Sequence, residues 1–226
     1  MNTPTKYSDM HVLVVEDDKF MRDMVRRVLE MIGVTKITEA TDGSDGLKKL
    51  VEVSPDLIVL DIMMEPMNGL QFLKSVRTGL STRRDYPVVV LTGSNDESVL
   101  GTAMSLDCNA FVDKAVSLGE IKDRVARVIA DPVRLRSPDA YQAVHIPNIK
   151  SGAVIESRLR ASAPPPAKAH EIPLEMVKPG STLARDVLSD NGNVLMIGGT
   201  VLGVSVLNNL RDISKIIDLP TLWVKE

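Results

Sequence analysis

A chain of 226 residues can hold one large domain or two small ones, and 44% hydrophobic with 25% charged residues is ordinary for soluble globular protein. A net charge of -3 excludes a general attraction to nucleic acid or anionic membrane, and the lone Cys108 excludes an internal disulfide framework. No stretch approaches the roughly 18 apolar residues of a membrane span, and residues 1–10 lack the apolar core of a secretion signal. The expectation is a cytoplasmic protein that binds neither membrane nor nucleic acid.

The first element is His11-Val12-Leu13-Val14-Val15, a continuous apolar run that suits a strand buried on both faces and ends in Glu16-Asp17-Asp18. Met21, Val25, Val28 and Ile32 follow at helical spacing, and Gly33 stops the helix. A weaker strand at 37–40 leads through the Asp42-Gly43 turn to a helix with Leu47, Leu50 and Val51 inward. Leu57-Ile58-Val59-Leu60 is the next buried-strand run and Asp61 ends it; Pro66 and Gly69 belong to a tight loop that opens a helix at about Asn68, with Leu70, Leu73 and Val76 inward. Pro87 opens the strand 88–91, which ends in Thr92-Gly93-Ser94. A fourth helix carries Val99, Ala103 and Leu106. The short strand Ala110-Phe111-Val112 ends in Asp113-Lys114, and Leu118, Ile121, Val125 and Val128 line a fifth helix that stops near Ala130.

This (βα)5 alternation predicts an α/β fold, a doubly wound parallel sheet with helices on both faces. Glu16, Asp17, Asp61, Thr92 and Lys114 each fall at the carboxyl end of a predicted strand, where open α/β sheets do their chemistry, so they are expected to converge. Three carboxylates held together repel unless a cation joins them, and hard oxygen donors favour a small divalent ion such as Mg²⁺.

On these residues, 10–130 resembles the receiver domain of bacterial two-component response regulators, the flavodoxin-like domain of chemotaxis regulators. The motifs are the acidic pair Glu16-Asp17, Asp61, Thr92, and Phe111 with Lys114, all in order. The resemblance implies that Asp61 accepts a phosphoryl group from a sensor histidine kinase, a His phosphotransfer protein or a small acyl phosphate. It implies Mg²⁺ held by Asp17, Asp61 and the backbone carbonyl of Met63, with Glu16 acting through water. Thr92, Gly93 and Lys114 would bind the phosphoryl group, and Thr92 with Phe111 would form a switch read out on the face at 95–130. The chain departs from the family where Ala115, and no proline, follows Lys114, and where the loop proline falls one place late, at Pro66.

From Asp131 the composition changes. Prolines at 132, 138, 147 and 164–166, interleaved with basic residues and without apolar period, read as a linker over 131–170. Residues 171–226 read as a small, mostly-β module: strands near 172–177 and 183–188, a turn signal at Asp190-Asn191-Gly192-Asn193 before Val194, a helix at 204–213 and a last strand at 222–224. Parts of it are similar to a short β module that precedes HD-type phosphodiesterase domains, without any His-Asp metal motif. The helix at 204–213 carries Arg211 beside Asp212 and little else to meet phosphate, which argues against DNA recognition. The expected output is therefore a non-catalytic interaction or dimerisation module with a protein partner. The alternative is a phosphorelay intermediate or phosphate sink whose tail only positions the receiver.

Overall fold

The computed structural model describes residues 7–81, 83–93, 96–114, 118–130, 135–147, 149–150, 153–154, 169–188, 194–217, 219 and 221–225. The turn at 190–193, the linker prolines 164–166 and Ala115 lie outside these residues. The chain forms two compact units, Met1–Gly93 with Leu106–Ile146, and Ser94–Ser105 with Pro147–Glu226.

The first unit is built on β1 (His11–Val15), β2 (Lys36–Ala40), β3 (Leu57–Asp61), β4 (Val88–Thr92) and β5 (Ala110–Asp113), in the order β2-β1-β3-β4-β5. Every pairing is parallel. The central β3 is buried at all five positions, as its unbroken apolar run predicts. Successive side chains of a strand point to opposite faces. Val12, Val14, Val59, Leu91 and Val112 therefore share one core with α1 (Lys19–Met31) and α5 (Leu118–Ala130), through Val25, Val28, Ile121, Val125 and Val128. On the other face, α2 (Gly43–Val53) and α3 (Gly69–Thr78) close on β1, and Gly46 sits where a Cβ would stand 3.1 Å from both Val15 and Phe72.

Three helices of this unit begin where an acid or amide caps them. Asp18 accepts from Met21 N at 2.8 Å, Asp42 from Ser44 N and Asp45 N, and Asn68 with Gln71 forms a reciprocal capping box. The acids and loops around the crevice thus double as helix starts.

Two features of this unit escape the sequence reading. Arg77, on α3, is fully buried and donates to the carbonyls of Leu106, Tyr86 and Asp107 at 2.9–3.1 Å. The other is a five-residue helix, α6 (Pro138–Gln142), inside the stretch expected to be linker. Its Tyr141 is fully buried and its hydroxyl donates to Asp107 Oδ2 at 2.6 Å, while Lys74 Nζ from α3 donates to the carbonyls of Gln142 and Val144 at 2.8 Å. The receiver side of the chain therefore runs on past Ala130 as a strap against α3.

The second unit holds α4 (Glu97–Ser105), the short pair β6 (Ile149–Lys150) and β7 (Ala153–Val154), and a small antiparallel assembly. In that assembly β12 (Leu222–Lys225) lies between β8 (His170–Ile172) and β9 (Thr182–Leu183), and β10 (Val187–Leu188) pairs with β11 (Val194–Met196). The helix α7 (Val204–Ile213) has the bounds its spacing predicts and buries Leu207, Leu210 and Ile213. The strand expected at 172–177 is instead β8 followed by a 3₁₀ turn at Leu174–Met176, because Pro173 has no N–H to give a ladder. Among the described residues no helix is long and apolar enough to cross a membrane.

Candidate functional site

The parallel register brings the strand ends level. Val15 pairs with Leu60 and Asp61 with Leu91, so Glu16, one residue past β1, and Asp61, the last residue of β3, stand side by side. One carboxylate oxygen from each of Glu16, Asp17 and Asp61 can be chosen so that all lie within 4.8 Å of one another. Glu16 and Asp61 are buried, 0% and 1% exposed, while Asp17 is exposed. Thr92 pairs with Asp113, which puts Lys114 at the same rim, and Lys114 N donates to the Thr92 carbonyl at 2.8 Å. The Lys114 ammonium lies 2.8 Å from Glu16 Oε2 and 3.0 Å from Asp61 Oδ1.

One cation against two buried carboxylates leaves the cluster electron-rich. Burial, and then the Asp61 charge, push the Glu16 carboxyl up to about 7 against the pull of Lys114. Burial also raises Asp61, opposed by Lys114 and by the backbone N–H groups of Met63 and Ile62. Burial works against the Lys114 charge, but Glu16 and Asp61 outweigh it and hold the ammonium above the ordinary lysine range. Among the described residues, no hydrogen bond of good geometry reaches either Asp61 oxygen or Glu16 Oε2, because the Lys114 ammonium and the Met63 and Ile62 N–H groups lie near them without alignment. Buried carboxylate oxygens left in that state fit a hard divalent cation, whose ligands are oxygens.

Of the expected residues, Glu16, Asp17, Asp61 and Lys114 are brought together. Met63 follows two residues after Asp61 in the loop to α3, in which the Glu65–Pro66 peptide is cis. Thr92 closes β4, buried, and Gly93 lies beneath Lys114, its Cβ position 3.5 Å from Lys114 Cδ. Phe111 is the second residue of β5 and is buried.

Two residues that hold the crevice were missed. Arg22, on the first turn of α1, donates from Nη1 to the carbonyls of Glu16 and Asp17 at 2.8 and 3.2 Å and is itself fixed by Glu39 on β2. A lone arginine five places after an acid reads as a solvated helix residue, so only the fold exposes its role. Gly69 is the second: a Cβ there would stand 2.0 Å from the Asp61 carbonyl oxygen, and Gly69 N donates to Ile62 O at 3.0 Å. Its position at the start of α3 was visible as a turn signal; its packing on the Asp61 backbone was not.

A parallel sheet of this order with an acidic crevice at the strand carboxyl ends defines the class, a flavodoxin-like doubly wound domain. Within that class the chain belongs to the response regulator receiver family, whose sequence model, described as Response regulator receiver domain, matches residues 12–126. It is similar to Response regulator MprA of Mycobacterium leprae, 30% identical over 135 residues that cover 60% of this chain and 56% of that protein. It is similar to the Phosphate regulon transcriptional regulatory protein PhoB of Klebsiella pneumoniae, 36% identical over 133 residues, 59% of this chain and 56% of that one. The chain spans about half the length of these curated relatives. The same fold occurs in a putative response regulator from Chloroflexus aurantiacus, with a TM-score of 0.50 and 24% identity over 54% of this chain and 98% of that one.

Proposed function

We propose that this chain is a two-component response regulator in which Asp61 accepts a phosphoryl group from the phosphohistidine of a sensor kinase or His phosphotransfer protein. The observation that supports it most is the buried Asp61 at the end of the central strand, within an acidic cluster and 3.0 Å from the Lys114 ammonium. An Asp61 oxygen attacks phosphorus, the new P–O bond forms as the P–N bond breaks, and the imidazole nitrogen leaves with the electron pair. Nearby backbone N–H groups of Met63 and Ile62 favour the ionised carboxylate, and Lys114 offsets negative charge on the incoming oxygens. Thr92 donates its hydroxyl to a phosphoryl oxygen, Gly93 leaves room beside Lys114, and Phe111 is the switch residue. Mg²⁺ held by Asp17, Asp61 and the Met63 carbonyl, with Glu16 through water, would neutralise the phosphoryl oxygens.

Residues 171–226 act in this reading as a non-catalytic, non-DNA-binding interaction or dimerisation module. In its helix α7, Asn209 and Asp212 are buried and the one basic residue is Arg211, a poor surface for phosphates. The receiver, in this division, includes the strap through 146. Intact-mass analysis after incubation with acetyl phosphate and Mg²⁺ tests the acceptor: the parent gains one phosphate and Asp61→Asn none, and equal labelling of both removes the assignment. Lys114→Ala keeps its affinity for Mg²⁺ and fails to transmit the signal.

A further inference from the structure

Asp17 is the exposed member of the acidic cluster, and among the described residues no hydrogen bond or ion pair reaches its carboxylate. Lys114 lies against Glu16 and Asp61 and leaves Asp17 to its backbone. The direction of that side chain is therefore set by the two peptide planes that flank its Cα, since a residue has only two soft backbone torsions. Arg22 holds both planes. Its Nη1 donates to the Glu16 carbonyl, in the plane before Asp17, at 2.8 Å, and to the Asp17 carbonyl, in the plane after it, at 3.2 Å.

The arginine is itself held at both ends. Its backbone N–H donates to the Asp18 carbonyl at 2.9 Å in the first turn of α1, which the Asp18 side chain caps. At the tip, Nε meets Glu39 Oε2 at 3.2 Å, and Arg26 Nε takes the other oxygen of that carboxylate at 3.2 Å. Only 12% of the Arg22 side chain is exposed, so the guanidinium is packed between helix and strand as well as hydrogen-bonded. Glu39 also offsets a positive charge that would otherwise weigh against a cation in the crevice.

Hard divalent ions differ in how much such fixing matters. Mg²⁺ needs oxygens in near-ideal octahedral array at about 2.0–2.1 Å, whereas Ca²⁺ accepts looser arrangements at about 2.3–2.6 Å. A carboxylate aimed by its backbone serves the first ion, while one free to wander serves the second nearly as well.

We propose that Arg22 is a positioning residue that makes the crevice selective for Mg²⁺ over Ca²⁺, by holding the two peptide planes that aim Asp17. The proposal rests on the reading of Glu16, Asp17 and Asp61 as the cation site, and it adds how that site chooses its ion. Charge alone does not choose. Both ions carry the same charge, so the field of a guanidinium moves both affinities together and leaves their ratio.

NMR spectra of the full chain at rising magnesium chloride or calcium chloride test it, read at the backbone amides of Glu16, Asp17 and Ile62. Arg22→Met removes both donors and the charge while suiting a helix. Its Mg²⁺ affinity should fall roughly tenfold, as for loss of a group that orients a metal ligand, with a smaller loss for Ca²⁺, so the ratio of the two drops. Arg22→Lys keeps the charge but cannot fork across two carbonyls, and its ratio should lie between that of the parent and that of Arg22→Met. Should Arg22→Met not fold, the lysine variant decides alone, by a ratio below the parent's. Affinities for both ions that rise together in Arg22→Met mean that Arg22 acts through its charge, and the proposal is wrong. The parent separates the two claims. No saturable shift with Mg²⁺ in the parent overturns the cation site and this proposal with it, while saturable binding with a ratio unmoved by either substitution overturns the role of Arg22 alone.

Discussion

The two units bury polar groups in different settings. The first buries charge deliberately: Glu16, Asp61 and Arg77 are at most 1% exposed, and each sits where strand or helix ends supply or demand a partner. The second buries a modest apolar set, such as Leu183, Leu195, Leu202, Leu207, Leu210 and Leu222, under short strands, and its buried polar groups, Glu97, Asn209 and Asp212, lie on helices. It also counts α4, a segment from the middle of the receiver sequence, among its own elements. A unit of this size gains little from its own core, and taking in a helix from elsewhere in the sequence enlarges it. The contrast teaches that acids collect where the ends of a parallel sheet can hold two of them against one lysine.

Glycine substitutions give the strongest test of that contrast. Gly69→Ala puts a methyl 2.0 Å from the Asp61 carbonyl oxygen, a backbone atom in the centre of the rigid sheet, so strand and helix must part. The expected cost is about 3 kcal/mol or more, with loss of Mg²⁺ binding. Gly180→Ala, in the second unit, meets nothing within 4 Å and suffers only from its φ of +98°, a cost of about 1 kcal/mol. Urea denaturation of both variants checks the pair, and equal costs would break the distinction between a rigid receiver and a tolerant module.

The same contrast explains what the sequence made legible. Four apolar runs became buried parallel strands because a strand covered on both faces has to be apolar throughout, and α7 kept its expected bounds because its apolar spacing is regular. The acids and the lysine could be aligned because strand ends are easy to find when strands are. What stayed hidden was pairing across the fold. Arg77 reads as a surface residue until the carbonyls around it are known, and α6, five residues in a proline-rich stretch, is too short to show a period. Gly69 acts through space left empty, which composition cannot show.

The buried carboxylates of the first unit give it a pH signature. Glu16 binds its proton at about 7 in the folded, metal-free protein against an ordinary value of 4.5, and Asp61 is displaced in the same direction. Between those values the folded state holds more protons than the unfolded chain, so stability falls as pH rises. The contribution is complete below about pH 4.5 and lost as pH passes 7, and Glu16 alone supplies roughly 3 kcal/mol of it. Denaturation in chelator across this window should show the decline, and Glu16→Gln should flatten it. Mg²⁺ requires the ionised acids, so its affinity should rise over the same range with release of protons, measurable by calorimetry in two buffers. A metal-free stability that climbs with pH through this window would contradict the buried acid cluster.

The smallest expected effect concerns where the first unit ends. Tyr141 is buried on the strap, its hydroxyl shared between Asp107 Oδ2 at 2.6 Å and Arg136 N at 2.9 Å, with the Arg136 guanidinium 4.9 Å above its ring. Asp107 itself holds a left-handed φ of 51°, and its carbonyl accepts from Arg77, so the strap braces the turn that leads into β5. Burial, and the bond to Asp107, raise the phenol pKa, which keeps the hydroxyl a donor at neutral pH. Tyr141→Phe keeps the ring and removes both hydrogen bonds. It should cost about 1 kcal/mol, less than the 3–5 kcal/mol of emptying the site with alanine, because Arg136 still neutralises Asp107 at 3.1 Å. Hydrogen exchange should quicken at α3, α6 and the 106–109 turn and stay unchanged at β8 and β12. Unchanged exchange at α3 would mean that the strap rests on the receiver without supporting it, and the receiver would then end where its family match does, near residue 126.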